Sequence, residues 1–293
     1  MLQLLRGAGL RGLSAMPEVQ SFAAGFLVRP LLGFSREAMG DYAERHALEW
    51  IEDSSNTNLA YDRNYLRHKV MPSLYERWPA ARSTIARAAG LAAETITLAE
   101  TLARQDLIKT RDVADNALNV PVLRSDGLLD RRRNLLRIWI RDQGLPVPSA
   151  SILERITGEV LNAAADREPL VSWEQAEIRR YRDKLYILPV LPEATPAMRL
   201  VWDRVTLPLP LGELCYHRTQ GRGLNASVLT DYRPEIRFRL GGESIRPAGR
   251  GRRRRNVKKL LQEYSVPPWL RDRMPLIYVG DTIVAAIAGI TRG

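Results

Sequence analysis

Residues 1–19 read MLQLLRGAGLRGLSAMPEV, and within them Gly7-Ala8-Gly9-Leu10-Arg11-Gly12 spells G-x-G-x-x-G. How these six residues are read decides whether the chain opens as a dinucleotide-binding unit. Such a fingerprint needs a buried strand before the glycines, a helix opening on the third, and an acid about twenty residues further on. Leu2 to Leu5 is rich in leucine and holds no β-branched residue, so it reads as the tail of a helix rather than a strand. Pro17 ends any helix begun at Gly12. The expected structure is a glycine-rich helix C-terminus followed by a loop.

The 293 residues suit about two domains, or three small ones. Hydrophobic residues make up 45% and charged residues 26%, the balance of an ordinary globular chain that buries a core without staples. Cys215 is the only cysteine, which excludes a disulfide framework, a CxxC redox pair and a thiolate-rich zinc site. A reducing cytoplasm fits that usage. Leu2 to Leu5 is too short for a signal segment, and Gly7, Gly9 and Gly12 break the amphipathic helix of a transit peptide. The most apolar piece, Thr282 to Ile290, is strand-sized, so no membrane span is expected.

Further along, FLVRPLL (26–32) is an apolar run, Ser35 can cap a helix through His46, and EWI (49–51) reads as a short strand. YDRNYLRHKVM (61–71) looks helical and stopped by Pro72, with a further short turn to Trp78. Residues 80–165 read as all-helical. Ile85, Ala89, Ala92, Ile96, Ala99 and Leu102 form a stripe on one long helix. A second helix runs from Leu128 to Asp142, and a third opens on a Ser151 to Glu154 capping box. AEIRRY (176–181) and KLYIL (184–188) flank Arg182-Asp183 as a hairpin, and prolines 189, 192 and 196 mark a linker. The last domain is expected to hold strands near Val205 to Leu209 and Ile236 to Leu240, a helix from Val257 to Tyr264, and a closing hairpin on a Gly280-Asp281 turn.

The net charge of +11 and a pI near 10.1 make a polyanion the first partner to consider, nucleic acid above all. The charge is concentrated. Between Arg233 and Arg273 there are 13 arginines and lysines against four acids, a net +9. Arg250 with Arg252, Arg253, Arg254 and Arg255 forms a basic loop leading into Lys258 and Lys259 on the first turn of a helix. Lysines there oppose the helix dipole, which favours a nearby anion. Such a loop suits RNA phosphates with little base selectivity, although a plain solvated charge run has the same composition. Arg132 and Arg133, with Arg131, offer a second patch.

Arg63 and Arg67 stand four apart on the helical stretch, and their planar forks can grip one phosphate together. Asp53 and Asn56 lie just past the expected strand end, where open α/β sheets bind ligands, although turn capping explains the same residue types. Asn64 and His68 share a helix face, but one histidine without a partner at metal spacing is no metal site.

Taken in order and spacing, LQLLRGAGLRGLSAM, VRPLL, SREAMGDYAERHALEWIEDSSN and YDRNYLRHKVMPSL resemble the tRNA(Ile)-lysidine synthetases of the N-type ATP pyrophosphatase group. LLDRRRNLLRIWIRDQG, RLGGESIRP and NVKKLLQEYSVPPWLRDRMPLIY resemble that family's later segments, so the likeness covers nearly the whole chain. In the family the LQLLRGAGLRGLSAM segment follows an HHxDDQ motif. That motif and the SGGxDS phosphate loop belong before Met1, and neither string occurs in the 293 residues.

The resemblance implies an α/β chain: the C-terminal part of a Rossmann-like, adenine nucleotide alpha hydrolase-like domain (1–80), a helical substrate-binding domain with a terminal hairpin (81–190), and a small mixed α/β tRNA-binding domain (197–293). It implies lysine ligation to the wobble cytidine of tRNA(Ile) with a CAU anticodon, using ATP and Mg2+, in the cytoplasm. It places Arg67 at the family's active-site arginine and puts Arg6, Gly7, Asp53, Asn56, Arg63 and Asn64 near nucleotide or lysine, with no metal ligand in this chain. The chain alone is expected to form little or no lysidine, since the backbone cradle for pyrophosphate is not in it. A homodimer or the front half of the domain is the further partner to consider. A non-catalytic tRNA-binding module and the C-terminal subunit of a split enzyme stay open as alternatives.

Overall fold

The computed structural model describes residues 1–125, 128–164, 167–194, 198–221, 223–225, 233–246 and 253–287. The chain divides into two compact units, Met1–Asp106 and Leu107–Gly293. The architecture is mixed α/β.

The first unit opens with α1 (Leu2–Leu5) and α2 (Leu10–Leu13). Gly7, at φ +69°, donates its N–H to the Leu4 carbonyl, and Ala8 donates to that of Gln3. That pattern ends a helix on a left-handed glycine, as the sequence predicts, but the helical turn α2 stands where a loop is expected. Gly12 lies inside α2, where a Cβ would come within 2.5 Å of the Ala8 Cβ, so this glycine serves close approach of two turns.

The hairpin of β1 (Val19–Phe22) and β2 (Gly25–Val28) follows, with Val19 opposite Val28. All eight of its residues are exposed. Helix α3 (Arg36–Arg45) is capped by Ser35, whose Oγ accepts from the Ala38 N–H at 3.1 Å. The strand expected at EWI does not form. The hairpin is the only sheet among the described residues of this unit, so residues 49–51 have no neighbouring strand to pair with, and Ile51 is 96% exposed.

A 3-10 turn (Ser54–Thr57) leads to α4 (Asp62–Tyr65), a π-helical turn (Leu66–Val70) and α5 (Met71–Arg77). Pro72 does not stop the helix. It sits in the first turn of α5, where a missing N–H costs little. Helix α6 (Ala81–Thr110) is the long helix predicted from the apolar stripe.

In the second unit the expectation of helix alone up to residue 165 is wrong. β3 (Arg111–Asp112) and β4 (Ala117–Asn119) interrupt it, turning through Asn116 at φ +54°. These strands are too short to show a period of two in the sequence. Pairing decides them: Leu118 lies opposite Leu185, and both are fully buried. With β5 (Leu170–Trp173), β6 (Ala176–Tyr181) and β7 (Lys184–Pro189) they form an antiparallel sheet of order β3-β4-β7-β6-β5. The Arg182-Asp183 hairpin stands as predicted.

Helices α7 (Val120–Ser125), α8 (Leu129–Asp142) and α9 (Ala150–Arg155, continued by a π turn Ile156–Val160) complete this part. Leu135, Leu136, Trp139 and Ile140 of α8 are buried, which leaves its arginines toward the rim. The cap of α9 is Ser149 rather than Ser151: the Ser149 Oγ accepts from the Ile152 N–H.

Of the expected linker, Pro196 lies outside the described residues and Pro189 ends β7. Beyond it come β8 (Arg199–Val201), β9 (Leu207–Leu209), β10 (Gly212–Leu214), β11 (Glu235–Arg237), β12 (Ser244–Ile245), β13 (Arg255–Asn256), α10 (Val257–Glu263), α11 (Pro268–Arg271), β14 (Leu276–Val279) and β15 (Thr282–Ala286). Strands β15-β14-β11-β8 make one antiparallel sheet. The pleat sends neighbours to opposite faces: Leu276 packs with Val257, Leu261 and Ile283, whereas Ile277 packs with Trp202, Leu214 and Ile236. Burial of each such side chain contributes about 1.5–3 kcal/mol. No helix among the described residues is long and apolar enough to cross a membrane.

Candidate functional site

The π turn after α4 changes which side chains share a face, and it sits where the arginines are. Arg63 on α4 and Arg67 in the π turn both line one open cavity of about 600 Å³ in the first unit, together with Arg36, Glu37, Tyr75 and Arg82. Such single π turns recur at functional positions. Arg63 and Arg67 thus open onto the same cavity. Both are exposed, so both are open to an incoming anion.

Arg36 and Arg82 add two further cations that the sequence reading did not single out. Arg36 follows the Ser35 cap directly and Arg82 lies in the first turn of α6, so each stands at the start of a helix. Arg82 Nη1 binds Glu37 Oε2 at 3.0 Å, and its guanidinium lies 5.2 Å from the Tyr75 ring centroid. The Arg82 hydrogen bond holds the Glu37 carboxyl below its ordinary range.

Around this wall, several predicted residues shape the backbone. Asn64 is buried, and its Nδ2 donates to the carbonyls of Ser55 (2.8 Å) and Asn58 (2.9 Å). Asp53 caps the 3-10 turn by accepting the Ser55 N–H at 2.8 Å, which lowers its pKa. The Asn56 carbonyl lies 3.0 Å from His68 Nε2. The D-x-S-N segment is thus sewn to the helix carrying Arg63 and Arg67. Arg6 pairs with Asp62 at 2.8 Å, with both side chains mostly exposed, and Gly7 closes α1 beside it.

At the other end, Arg250 and Arg252 lie outside the described residues. Arg253 and Arg254 precede β13, Arg255 lies on it, and Lys258 and Lys259 occupy the first turn of α10, whose cap is Asn256 accepting from the Lys259 N–H. Arg255 pairs with Glu263. Arg246 and Arg254 line an open cavity of about 260 Å³ with Glu243, Tyr278 and Asp281. On α8, Arg132 donates to the Arg124 carbonyl at 2.6 Å, and Arg133 pairs with Asp130 and Glu154. A guanidinium has five N–H donors, so these local bonds leave some for another acceptor.

No group of three or more metal-ligating side chains occurs among the described residues. The arginines of the large cavity fit phosphate oxygens by charge and fork geometry. They do not fit a divalent cation, which takes oxygen ligands.

Comparison with known proteins finds three family matches along the chain. Residues 1–74 match the PP-loop domain, residues 129–186 the TilS substrate binding domain, and residues 235–291 the TilS substrate C-terminal domain. The first unit thus carries a segment of the PP-loop class. The chain is 43% identical over 292 residues to the tRNA(Ile)-lysidine synthase of Coxiella burnetii, 41% over 294 residues to that of Methylococcus capsulatus and 39% over 290 residues to that of Proteus mirabilis. These alignments take in 98%, 99% and 98% of the chain and 64%, 66% and 65% of the relatives. Along nearly its whole length the chain is thus similar to the tRNA(Ile)-lysidine synthases. It spans just under two thirds of the length of the curated relatives it matches.

Proposed function

We propose that this chain serves the ATP-dependent ligation of lysine to C2 of the wobble cytidine in tRNA(Ile) with a CAU anticodon. The observation that carries the reading is identity of about 40% along nearly the whole chain, with Arg63 and Arg67 both lining one cavity. In this reaction the C2 carbonyl oxygen attacks the α-phosphorus of ATP and pyrophosphate leaves. The lysine side-chain amine then adds at C2, loses its proton, and AMP departs with the former carbonyl oxygen. A carbonyl oxygen leaves poorly and AMP leaves well, so adenylation is the activating step.

Arg67 is the proposed catalytic residue: a cation that offsets charge on the phosphates as it moves from the α-phosphorus to pyrophosphate. Arg63 is proposed to hold the same phosphates, and Arg6, Gly7, Asp53, Asn56 and Asn64 to shape the pocket for nucleotide and lysine. Mg2+ would neutralise phosphate charge when bound on ATP, and no residue of this chain is assigned to it. Arg132, Arg133 and the stretch from Arg250 to Lys259 are proposed to contact tRNA phosphates. In domain terms, residues 1–80 are proposed as the second part of a Rossmann-like ATP pyrophosphatase domain, 81–190 as a substrate-binding domain, and 197–293 as a tRNA-binding domain. A cytoplasmic location is proposed with it.

The test is lysine transfer to a CAU-anticodon tRNA(Ile) transcript by the purified 293-residue chain, with and without a polypeptide that supplies the SGGxDS loop. The expected result is little or no lysidine without that polypeptide and recovery with it. Substantial transfer by the chain alone refutes the first expectation. The density of cations from Arg233 to Arg273 favours a second reading, a tRNA-binding module without catalysis. It predicts tRNA binding with steep salt dependence and no transfer under either condition.

A further inference from the structure

In the second unit, the tip of the β6–β7 hairpin grips the C-terminal end of α10. Arg182, in the turn, donates from Nη2 to the Gln262 carbonyl at 3.1 Å and from Nη1 to Ser265 Oγ at 2.6 Å. A cation on the last carbonyls of a helix is favourably placed. Arg182 and Ser265 both hold left-handed backbone, φ +54° and +57°, which non-glycine residues rarely adopt unless their surroundings impose it. Beside them, the buried Arg271 binds the Val266 carbonyl through Nε at 2.9 Å and the Tyr181 hydroxyl through Nη2 at 2.9 Å. Trp269 meets Tyr181 and Tyr186 edge-on at 6.3 and 5.6 Å, and Arg179 lies 5.4 Å from its centroid. Arg273 closes the far side with two bonds to the Pro192 carbonyl, at 3.0 and 2.8 Å.

The hairpin is tied down in turn on its other side. The buried Arg180 donates to the carbonyls of Leu161 and Ala163, just past the π turn of α9, and its Nε holds the Arg182 carbonyl at 2.9 Å. One strand end, Arg179 to Arg182, thus links the helices around α8 to the helix that carries Lys258 and Lys259.

We infer that Tyr181, Arg182, Ser265, Trp269 and Arg271 form a latch that fixes the C-terminal module against the hairpin, so that the basic stretch Arg253 to Lys259 and the arginines of α8 meet an RNA as one rigid surface. These are positioning residues, because none need touch the RNA. The inference rests on the RNA reading proposed above. Two basic patches in a fixed relation bind with less ordering cost than two patches on a swinging linker.

The test compares wild type with a Tyr181→Phe, Ser265→Gly double variant. It removes the hydroxyls at both ends of the latch without changing charge, and glycine suits the left-handed position 265. Affinity for a CAU-anticodon tRNA(Ile) transcript is read across a salt series, and amide hydrogen exchange is followed in peptides spanning 176–189 and 257–271. The expected result is a dissociation constant raised on the order of tenfold, the salt slope unchanged because the same phosphates are met, and faster exchange in both peptides. Wild-type binding that the variant matches in affinity overturns the latch. A reduced salt slope in the variant also overturns it, since phosphate contacts would then have been lost rather than loosened. Absence of salt-dependent binding by wild type overturns the RNA reading, and the latch inference with it. If the double variant does not fold, Arg182→Gln, at an exposed turn, is held to the same affinity and exchange criteria.

Discussion

Asn64 Nδ2 donates to the carbonyl of Ser55 at 2.8 Å, joining the helix that carries Arg63 and Arg67 to the turn capped by Asp53. One buried amide therefore sets where a wall of the cavity stands relative to the D-x-S-N segment. Asn64→Ala leaves the Ser55 and Asn58 carbonyls without this donor and is expected to cost about 1–3 kcal/mol of local stability. Faster hydrogen exchange over residues 53–58, with Arg63 and Arg67 intact, is the outcome to look for. Unchanged exchange would show that the bond does not hold the turn.

Arg67→Ala is expected to lower lysine transfer on the order of 100-fold in whichever preparation is active, with Arg67→Lys between it and wild type. The comparison is of transfer rates at saturating lysine. Arg82→Gln serves as the contrast: Arg82 already pairs with Glu37, so a fall comparable to that of Arg67→Ala would move the catalytic assignment.

Replacing Arg253, Arg254 and Arg255 by glutamine is expected to weaken tRNA binding evenly across sequences and to lower the log–log salt slope by about 2. The estimate is below three charges' worth because Arg255 is already paired with Glu263. Filter binding at several salt concentrations gives the slope directly. A change in tRNA preference with no change in slope would contradict phosphate contact.

Glu243 offers a pH prediction. Burial pushes its carboxyl up, but its own backbone N–H, those of Gly241 and Leu240, and the nearby Arg239 together pull harder, so the net shift is downward. Its folded pKa thus lies below its unfolded value. The stabilisation it brings is full above that value and is lost as pH falls through the folded one. Melting of wild type between pH 6 and pH 3 should therefore fall more steeply than melting of Glu243→Gln. Parallel curves would show that Glu243 contributes nothing to the acid limb.

The core of the middle region gives a plain stability test. Leu136 is fully buried on α8, and Leu136→Ala is expected to destabilise by about 2–5 kcal/mol in chemical denaturation.

Much of this was legible where side-chain chemistry is local. The helix-ending glycine at position 7, the Ser35 cap, the Arg182-Asp183 hairpin, the helix from Val257 and the closing Gly280-Asp281 turn each depend on a few adjacent residues, and all stand where the residue types put them. The two strand misreadings share one cause. EWI looked like a strand, and residues 111–119 did not, because a strand is decided by its neighbour rather than by its own residues.

The candidate site divides in the same way. That Arg63 and Arg67 lie about one turn apart could be read from their spacing, and the concentration of charge between Arg233 and Arg273 could be counted directly. That Arg36 and Arg82 join that cavity, that Asn64 spends its amide on Ser55 and Asn58, and that Arg182 reaches Ser265 across 83 residues could not. Caps, turns and net charge are properties of short segments, so the sequence by itself determined them. Which guanidinium is free, which is locked and which holds one module to another follows from contacts between distant segments, whose closure only the packed tertiary structure decides.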